Sequence, residues 1–188
     1  MSTHYVDIEL LPDPEFSQTH LLSALYSKLH RALATLSAQG VGVSFPNYSM
    51  QPRSLGQIMR LHGSLAELNV LLGTDWLRGM RDHVALGAVS VVPSGIEHRR
   101  LLRRQFKTNA DRLRRRRMQR KGETYQQAAQ AIPDSVEQQP RLPYVQMRSS
   151  STGRVFCLFL DLSEPEKQAS GGVFNAYGLS QEATVPWF

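Results

Sequence analysis

Cysteine is nearly absent from this chain. Its 188 residues contain one, Cys157, so no disulfide can form within it, which excludes the small disulfide-stapled secreted folds. Set in the apolar run Val155–Leu160, Cys157 is expected to be a buried thiol in a reducing compartment, and the chain is expected to be cytoplasmic. Long apolar runs are missing too. None approaches the roughly 18 residues a bilayer span needs, and the mean hydropathy is −0.34, so a helical membrane protein is excluded. The segment Met1–Asp7 has neither the basic start nor the apolar stretch of a secretion signal. Histidines occur without metal-binding partners. His20 and His30 have no second motif, and His4, His62, His83 and His98 are scattered, so no metal and no cofactor is expected. Acid is scarce in one place above all: between Arg99 and Lys121 only Asp111 is acidic.

What that stretch holds instead is cation. Twelve of the chain's 22 Lys and Arg residues lie within it, giving a formal charge of +11. The total is +6, which leaves −5 for everything else. Such a patch repels itself in a free monomer, and a polyanion offsets that cost. For this class of chain the leading partner is a nucleic acid backbone.

At this length the chain can form one domain or two small ones, and 41% apolar residues suffice for a core. Residues 4–10 alternate as a half-buried strand, with Val6, Ile8 and Leu10 on one face. Ser17 is a suitable N-cap for a helix to about Ser37, whose stripe is Leu22, Leu25, Leu29, Ala32, Leu33 and Leu36. His30 falls roughly 110° from the centre of that stripe, on its shoulder. Residues 41–45 and 57–62 read as strands, 64–72 as a helix and 88–92 as a fourth strand. The order β-α-β-β-α-β predicts a ferredoxin-like (RRM-like) domain over 1–93 in an α+β protein. The paired stacking rings of an ordinary RNA-recognition motif are missing from its strands.

Residues 94–188 form the second expected domain. Asn109 is a good N-cap, and Asp111 suits the positive end of a helix running through Arg120. Arg112, Arg116 and Arg120 repeat at i, i+4, i+8, with Arg115 beside them, as an arginine stripe. A helix from Thr124 to Ile132 stops at Pro133. Tyr144–Arg148 and Arg154–Leu162, joined by Ser149–Gly153, predict a hairpin, and 173–179 a last strand.

Several short segments carry a resemblance: Lys28-Leu29-His30, Gly42-Val43-Ser44-Phe45-Pro46, the helix opened by Asn109, and Ile132-Pro133-Asp134. Arg148-Ser149, Ser151-Thr152-Gly153, Tyr177-Gly178-Leu179-Ser180 and Val185-Pro186-Trp187-Phe188 continue it. In this order, from Tyr5 to Phe188, they resemble the CRISPR repeat-processing endoribonucleases of the type I-F subtype. The resemblance implies a metal-independent RNA cutter that binds the repeat hairpin and cleaves at the 3′ base of its stem. It also implies that the product stays bound, so that the guide RNA and this chain join other subunits of a surveillance complex.

The resemblance assigns His30 as the catalytic histidine, Ser149 as the residue positioning the attacking 2′-OH, and Tyr177 as the one orienting the imidazole. Ser149 opens the run Ser149-Ser150-Ser151, and Arg148 before it and Thr152-Gly153 after it favour that register. Arg103 and Gln105 match a pair that reads bases at the foot of the stem. Chemically, Arg suits guanine O6 and N7, and Gln suits adenine N6 and N7. Arg116 and Arg120 match residues that enter the groove of the hairpin, Arg112 and Arg115 are assigned to phosphates, and Lys107 completes the RNA-binding set. Gln119 stands where the family often has arginine, which implies one phosphate contact fewer. Phe156 matches an aromatic on which a base near the cut stacks. A hairpin binder that never cuts, and a DNA-binding regulator, share the arginine helix and are the competing readings.

Overall fold

The alternation of residues 4–10 builds strand β1 (His4–Leu10), in which Val6, Ile8 and Leu10 are buried. The computed structural model describes residues 2–106, 109–138, 140–149 and 152–188. Helix α1 (Gln18–Leu36) begins at Ser17, whose hydroxyl accepts from the His20 N–H at 3.3 Å. It ends at Ser37, which takes the left-handed conformation (φ 50°). Leu25, Leu29 and Leu33 are its buried spine, and truncating any one to alanine costs about 2–5 kcal/mol. Strands β2 (Gly42–Ser44), β3 (Ser49–Met50), β4 (Arg53–Ser54) and β5 (Ile58–Gly63) follow. Helix α2 (Leu65–Leu72) is opened by a capping box of Ser64 and Glu67. Next come β6 (Val84–Leu86), β7 (Ser90–Val91), β8 (Glu97–Arg99) and β9 (Leu101–Arg104), then helices α3 (Ala110–Lys121) and α4 (Tyr125–Ala131). Strands β10 (Tyr144–Arg148), β11 (Val155–Leu162) and β12 (Val185–Trp187) close a mixed α+β chain.

Two compact units result, Met1–Arg103 with Leu142–Phe188, and Arg104–Arg141. The boundary expected at 93/94 begins neither. The reason is the β10–β11 hairpin, which returns to α1 and packs Val145 and Met147 into the same core. There the Gln146 N–H donates to the buried Ser23 hydroxyl at 3.0 Å.

The larger unit carries a sheet in the order β2-β5-β1-β6, every neighbour antiparallel, with β7 also on β1. The strand expected over 88–92 is therefore two pieces. Ile8 pairs with Leu86 but Tyr5 with Ser90, so one extra residue is inserted between them, a bulge that splits the strand. Asp7 and Arg60 stand opposite each other on β1 and β5. The guanidinium donates to both carboxylate oxygens, at 2.6 and 2.8 Å, and to an oxygen of Phe188 at 2.7 Å. It also lies over the rings of Tyr5 and Phe188, 4.6 and 4.0 Å from their centroids.

Two expectations fail in the C-terminal half. Cys157 is exposed, because β11 is half-buried: Leu158 and Leu160 point inward while Val155 and Cys157 point out. Residues 173–179 form no strand. Asn175–Gly178 is a tight turn, closed by the Gly178 N–H on the Asn175 carbonyl at 2.8 Å, with Gly178 at φ +69°. The Asn175 side chain accepts from the Tyr177 N–H at 2.8 Å, a bond an extended strand would lose. This turn covers the open edge of β2, where the Val43 N–H donates to the Gly178 carbonyl at 3.0 Å. The approach is close. A Cβ at Gly42 would stand 2.6 Å from Val185 and 2.7 Å from Phe174, and one at Gly178 would stand 2.4 Å from Val43.

His62 on β5 is fully buried, its Nε2 2.7 Å from the Ser44 hydroxyl. Burial, and then the charges of Arg60 and His98, push its pKa down to about 3. The unfolded chain takes up this proton near pH 6.5 and the fold resists it, so stability is full above that pH and declines as pH falls toward 3, by at most ~1.4 kcal/mol per pH unit. Urea unfolding between pH 6 and 4 should show His62→Gln flattening the pH slope by about one proton. A slope equal to that of the unsubstituted chain would reject a neutral buried imidazole.

Candidate functional site

His30 lies half-buried on the shoulder of α1. Its Nδ1 is 2.8 Å from the Ala176 carbonyl oxygen. A carbonyl only accepts, so this bond puts a proton on Nδ1, and of the two neutral tautomers it selects the one whose lone pair is on Nε2. One helical turn earlier, Tyr26 donates its hydroxyl to the next carbonyl of the same turn, that of Tyr177, at 2.7 Å. Burial drives the Tyr26 pKa far above that of an ordinary phenol, so the hydroxyl remains a donor. The Tyr177 ring stacks on His30 with centroids 4.0 Å apart and planes 2° from parallel. The guanidinium of Arg103, at the exposed end of β9, lies 5.8 Å from the Tyr177 centroid and 5.7 Å from that of Phe156 on β11. His30, Tyr177, Arg103 and Phe156, drawn from four separate segments, thus form one continuous series.

Ser149 sits at the turn of the hairpin that carries Phe156. Its N–H donates to the Arg154 carbonyl and its own carbonyl accepts from the Gly153 N–H, both at 2.9 Å. The Ser149 hydroxyl accepts from the Thr152 N–H at 3.3 Å. Ser150 and Ser151 lie outside the described residues, as does Lys107.

The smaller unit carries the arginine stripe. Arg112, Arg115, Arg116 and Arg120 are all exposed on α3, and Gln105 is exposed between β9 and α3. The other two arginines of the helix are committed internally. Arg114 is buried, donating to the Ile132 carbonyl at 2.9 Å, to Asp134 at 2.6 Å and to Asp111 at 3.1 Å. These acceptors raise its pKa, Asp134 most of all. Arg117 makes a two-pronged pair with Glu123, at 2.6 and 3.0 Å. Only Ala110, Arg114 and Ala128 are buried in α3 and α4, so a guanidinium replaces the hydrocarbon that would normally join two helices. Leu113, Arg116, Arg117, Arg120, Lys121 and Ile132 line a cavity of about 240 Å³ on this unit.

Sequence reasoning missed the Ala176 carbonyl, the Tyr26 hydroxyl and the internal roles of Arg114 and Arg117. Signals existed for two of them. Asn175 and Gly178 stand at the first and fourth positions of a β-turn, where those residues are favoured. Asp111 stands three residues before Arg114, within reach along the helix.

A family profile described as CRISPR-associated protein (Cas_Csy4) matches residues 5–188. The chain is 43% identical over 185 residues to a CRISPR-associated endonuclease Cas6/Csy4 of Pseudomonas aeruginosa (strain UCBPP-PA14), covering 98% of this chain and 99% of that protein. It is 39% identical over 185 residues to the protein of the same description from Escherichia coli (strain UTI89 / UPEC), again covering 98% and 99%.

If Arg114 is the joint between α3 and α4, Arg114→Met should lower the midpoint of the far-ultraviolet helical signal by a few degrees. Arg112→Met, on the exposed stripe, should leave it in place. Equal midpoints for both variants would mean the guanidinium core contributes nothing.

Proposed function

This chain belongs to the Cas6/Csy4 family of CRISPR-associated endonucleases, and from that premise we propose that it is a metal-independent, type I-F repeat-processing endoribonuclease. It binds the hairpin of CRISPR repeat RNA, cuts at the 3′ base of the stem and stays on the mature guide RNA, alongside other surveillance-complex subunits in the cytoplasm. We read the β2-β5-β1-β6 sheet with α1 and α2 as its ferredoxin-like layer, a reading the βαββαβ succession supports.

RNA supplies its own nucleophile. Once a 2′-OH loses its proton and lines up with the adjacent phosphorus, it displaces the 5′-oxygen of the next nucleotide, leaving a 2′,3′-cyclic phosphate and a 5′-OH. The enzyme must provide a base and the alignment. One observation carries the assignment of His30 as that base: the bond from its Nδ1–H to the Ala176 carbonyl selects the tautomer with a free Nε2. Tyr177 orients the ring by stacking, and Ser149 positions the 2′-hydroxyl. Arg103 and Gln105 read base edges at the foot of the stem, and Phe156 stacks against a base there. Arg116 and Arg120 enter the groove, while Arg112, Arg115 and Lys107 hold phosphates. Arg114 and Arg117 are not counted among the RNA ligands, because Asp134 and Glu123 already occupy them. With one base and no second proton donor assigned, turnover is slow, which suits a protein whose product is its lasting ligand.

Incubated with its own genomic repeat hairpin in EDTA, the His30→Ala chain should cut at least about a hundredfold more slowly while binding within a few-fold of normal. Undiminished cutting would remove His30 from the mechanism, and a wild-type chain that binds without cutting would establish the structural-subunit reading instead. A 2′-deoxynucleotide immediately before the cut should block cleavage without loss of affinity. Replacing Arg116 and Arg120 together should weaken binding more than replacing Arg78 and Arg81. Equal weakening by the two pairs would place recognition elsewhere. Replacing Arg112 and Arg115, which hold phosphates, should flatten the salt dependence by roughly 0.7–0.9 log units for each phosphate left unneutralised.

A further inference from the structure

We propose that Arg103 couples recognition of the base at the stem foot to the reactivity of His30, by leaving a resting place against Phe156 and Tyr177 when that base arrives. The inference rests on the endoribonuclease reading and deepens it: Arg103 sets specificity through the rate of cutting as well as through binding.

The state of the Arg103 side chain is the first support. Among the described residues its guanidinium makes no hydrogen bond and no ion pair, and its ordered neighbours are the two rings at 5.7 and 5.8 Å. Nearby arginines differ. Arg100 is tied to Glu166, Ser170 and the Glu182 carbonyl, and Arg99 to the Ser163 carbonyl. Arg103 alone of these three keeps its whole donor fork for a ligand.

The second support is competition for one surface. Phe156 is half-buried with its inner side packed on the core, so its solvent side is what a base can reach. The exposed guanidinium lies over that ring. A base stacking on Phe156 must displace it, and the same base offers it new acceptors. An exposed cation–π contact is worth about two- to fivefold in an equilibrium, whereas a bidentate contact to the matching base is worth about five- to 150-fold. The exchange is favourable for a guanine that presents O6 and N7, and unfavourable for a base that lacks them.

The third support is the path to His30. Tyr177 has the Arg103 guanidinium 5.8 Å from its centroid and lies parallel to the imidazole, planes 2° apart and centroids 4.0 Å apart. A base that draws the guanidinium to its own acceptors therefore also takes it from the ring that stacks on the imidazole. The correct base thus changes what bears on the Tyr177–His30 stack as the 2′-OH is delivered to it.

The test reads the rings directly. In the free chain, Arg103→Gln should shift the His30 and Tyr177 ring resonances in NMR spectra, and Arg78→Gln should not. A repeat hairpin made uncleavable by 2′-deoxyribose before the cut should move the wild-type signals the same way when guanine stands at the stem foot. It should move them less when 7-deazaguanine, which lacks N7, replaces that guanine. With all-ribose RNA and saturating protein, 7-deazaguanine should slow single-turnover cutting by the wild-type chain about five- to 150-fold, whereas Arg103→Gln, which has no cation to displace, should cut the guanine and 7-deazaguanine RNAs at nearly the same rate. Ring signals indifferent to Arg103→Gln, or a penalty confined to Kd with the saturated rate unchanged, would reduce Arg103 to an ordinary binding residue. A wild-type chain that binds the RNA and never cuts it overturns the endoribonuclease reading, and the coupling with it.

Discussion

Two consecutive turns of α1 grip two consecutive carbonyls of the tail. Tyr26 holds the carbonyl of Tyr177 and His30 holds that of Ala176. Because positions i and i+4 share a helix face, one rigid element sets both bonds at once. The first fixes the height of the turn, and the second fixes the tautomer and plane of the imidazole. Everything proposed for the chemistry follows from that geometry, since a ring free to rotate would offer either nitrogen. The partners are 146 and 151 residues apart in sequence, so the arrangement exists only once the whole larger unit has closed.

The tail that supplies these carbonyls is itself held at several points. Val43 on the edge of β2 binds the Gly178 carbonyl, β12 pairs with β8, and Arg60 clasps Phe188 against Tyr5 and Asp7. Each anchor answers an ordinary demand of folding: an unpaired strand edge, a cation that needs acceptors, an aromatic that needs cover. Their joint effect is to present the Asn175–Gly178 turn to α1. Packing requirements and the proposed active site are thus met by the same segment.

Much of this was legible in sequence. The caps at Ser17, Ser64, Asn109 and Thr124 and the stop before Pro133 fall where side-chain chemistry puts them. These signals are local, and local physics decides helix ends. The β10–β11 hairpin was legible for the same reason. Three features depended on remote partners and were not. Whether Cys157 faces in or out depends on which side of β11 the rest of the chain covers. Residues 173–179 have the apolar content of a strand, but Asn175 and Gly178 make a turn that β2 and α1 then lock. The return of residues 142–188 to the first unit leaves no trace in composition. For the candidate site, sequence supplied the residue types and the resemblance, while the bond that selects the His30 tautomer goes to a backbone carbonyl, which no side-chain pattern encodes.

The arginine helix shows why a count of charges is a poor guide to a binding surface. Six arginines lie on α3, and all contribute equally to the formal +11. Two of them are spent on the fold, one as the core of the helix pair and one as a pair with Glu123. Burying a guanidinium is costly unless its donors are met, and Asp111, Asp134, Tyr125 and the Ile132 carbonyl meet those of Arg114. Glu137 is engaged as well, accepting from the Ala110 N–H where α3 begins. Each acid of this unit is thus committed within the helix pair, and the exposed stripe keeps its charge. A helix pair with an apolar seam would have needed leucines at 114 and 128 and would have taken from Asp134 its bond to Arg114, leaving that carboxylate to fold back toward the stripe. Using an internal arginine to consume the local acids keeps the exposed four available, so the same residue type that supplies the proposed grip also prevents the protein from neutralising it.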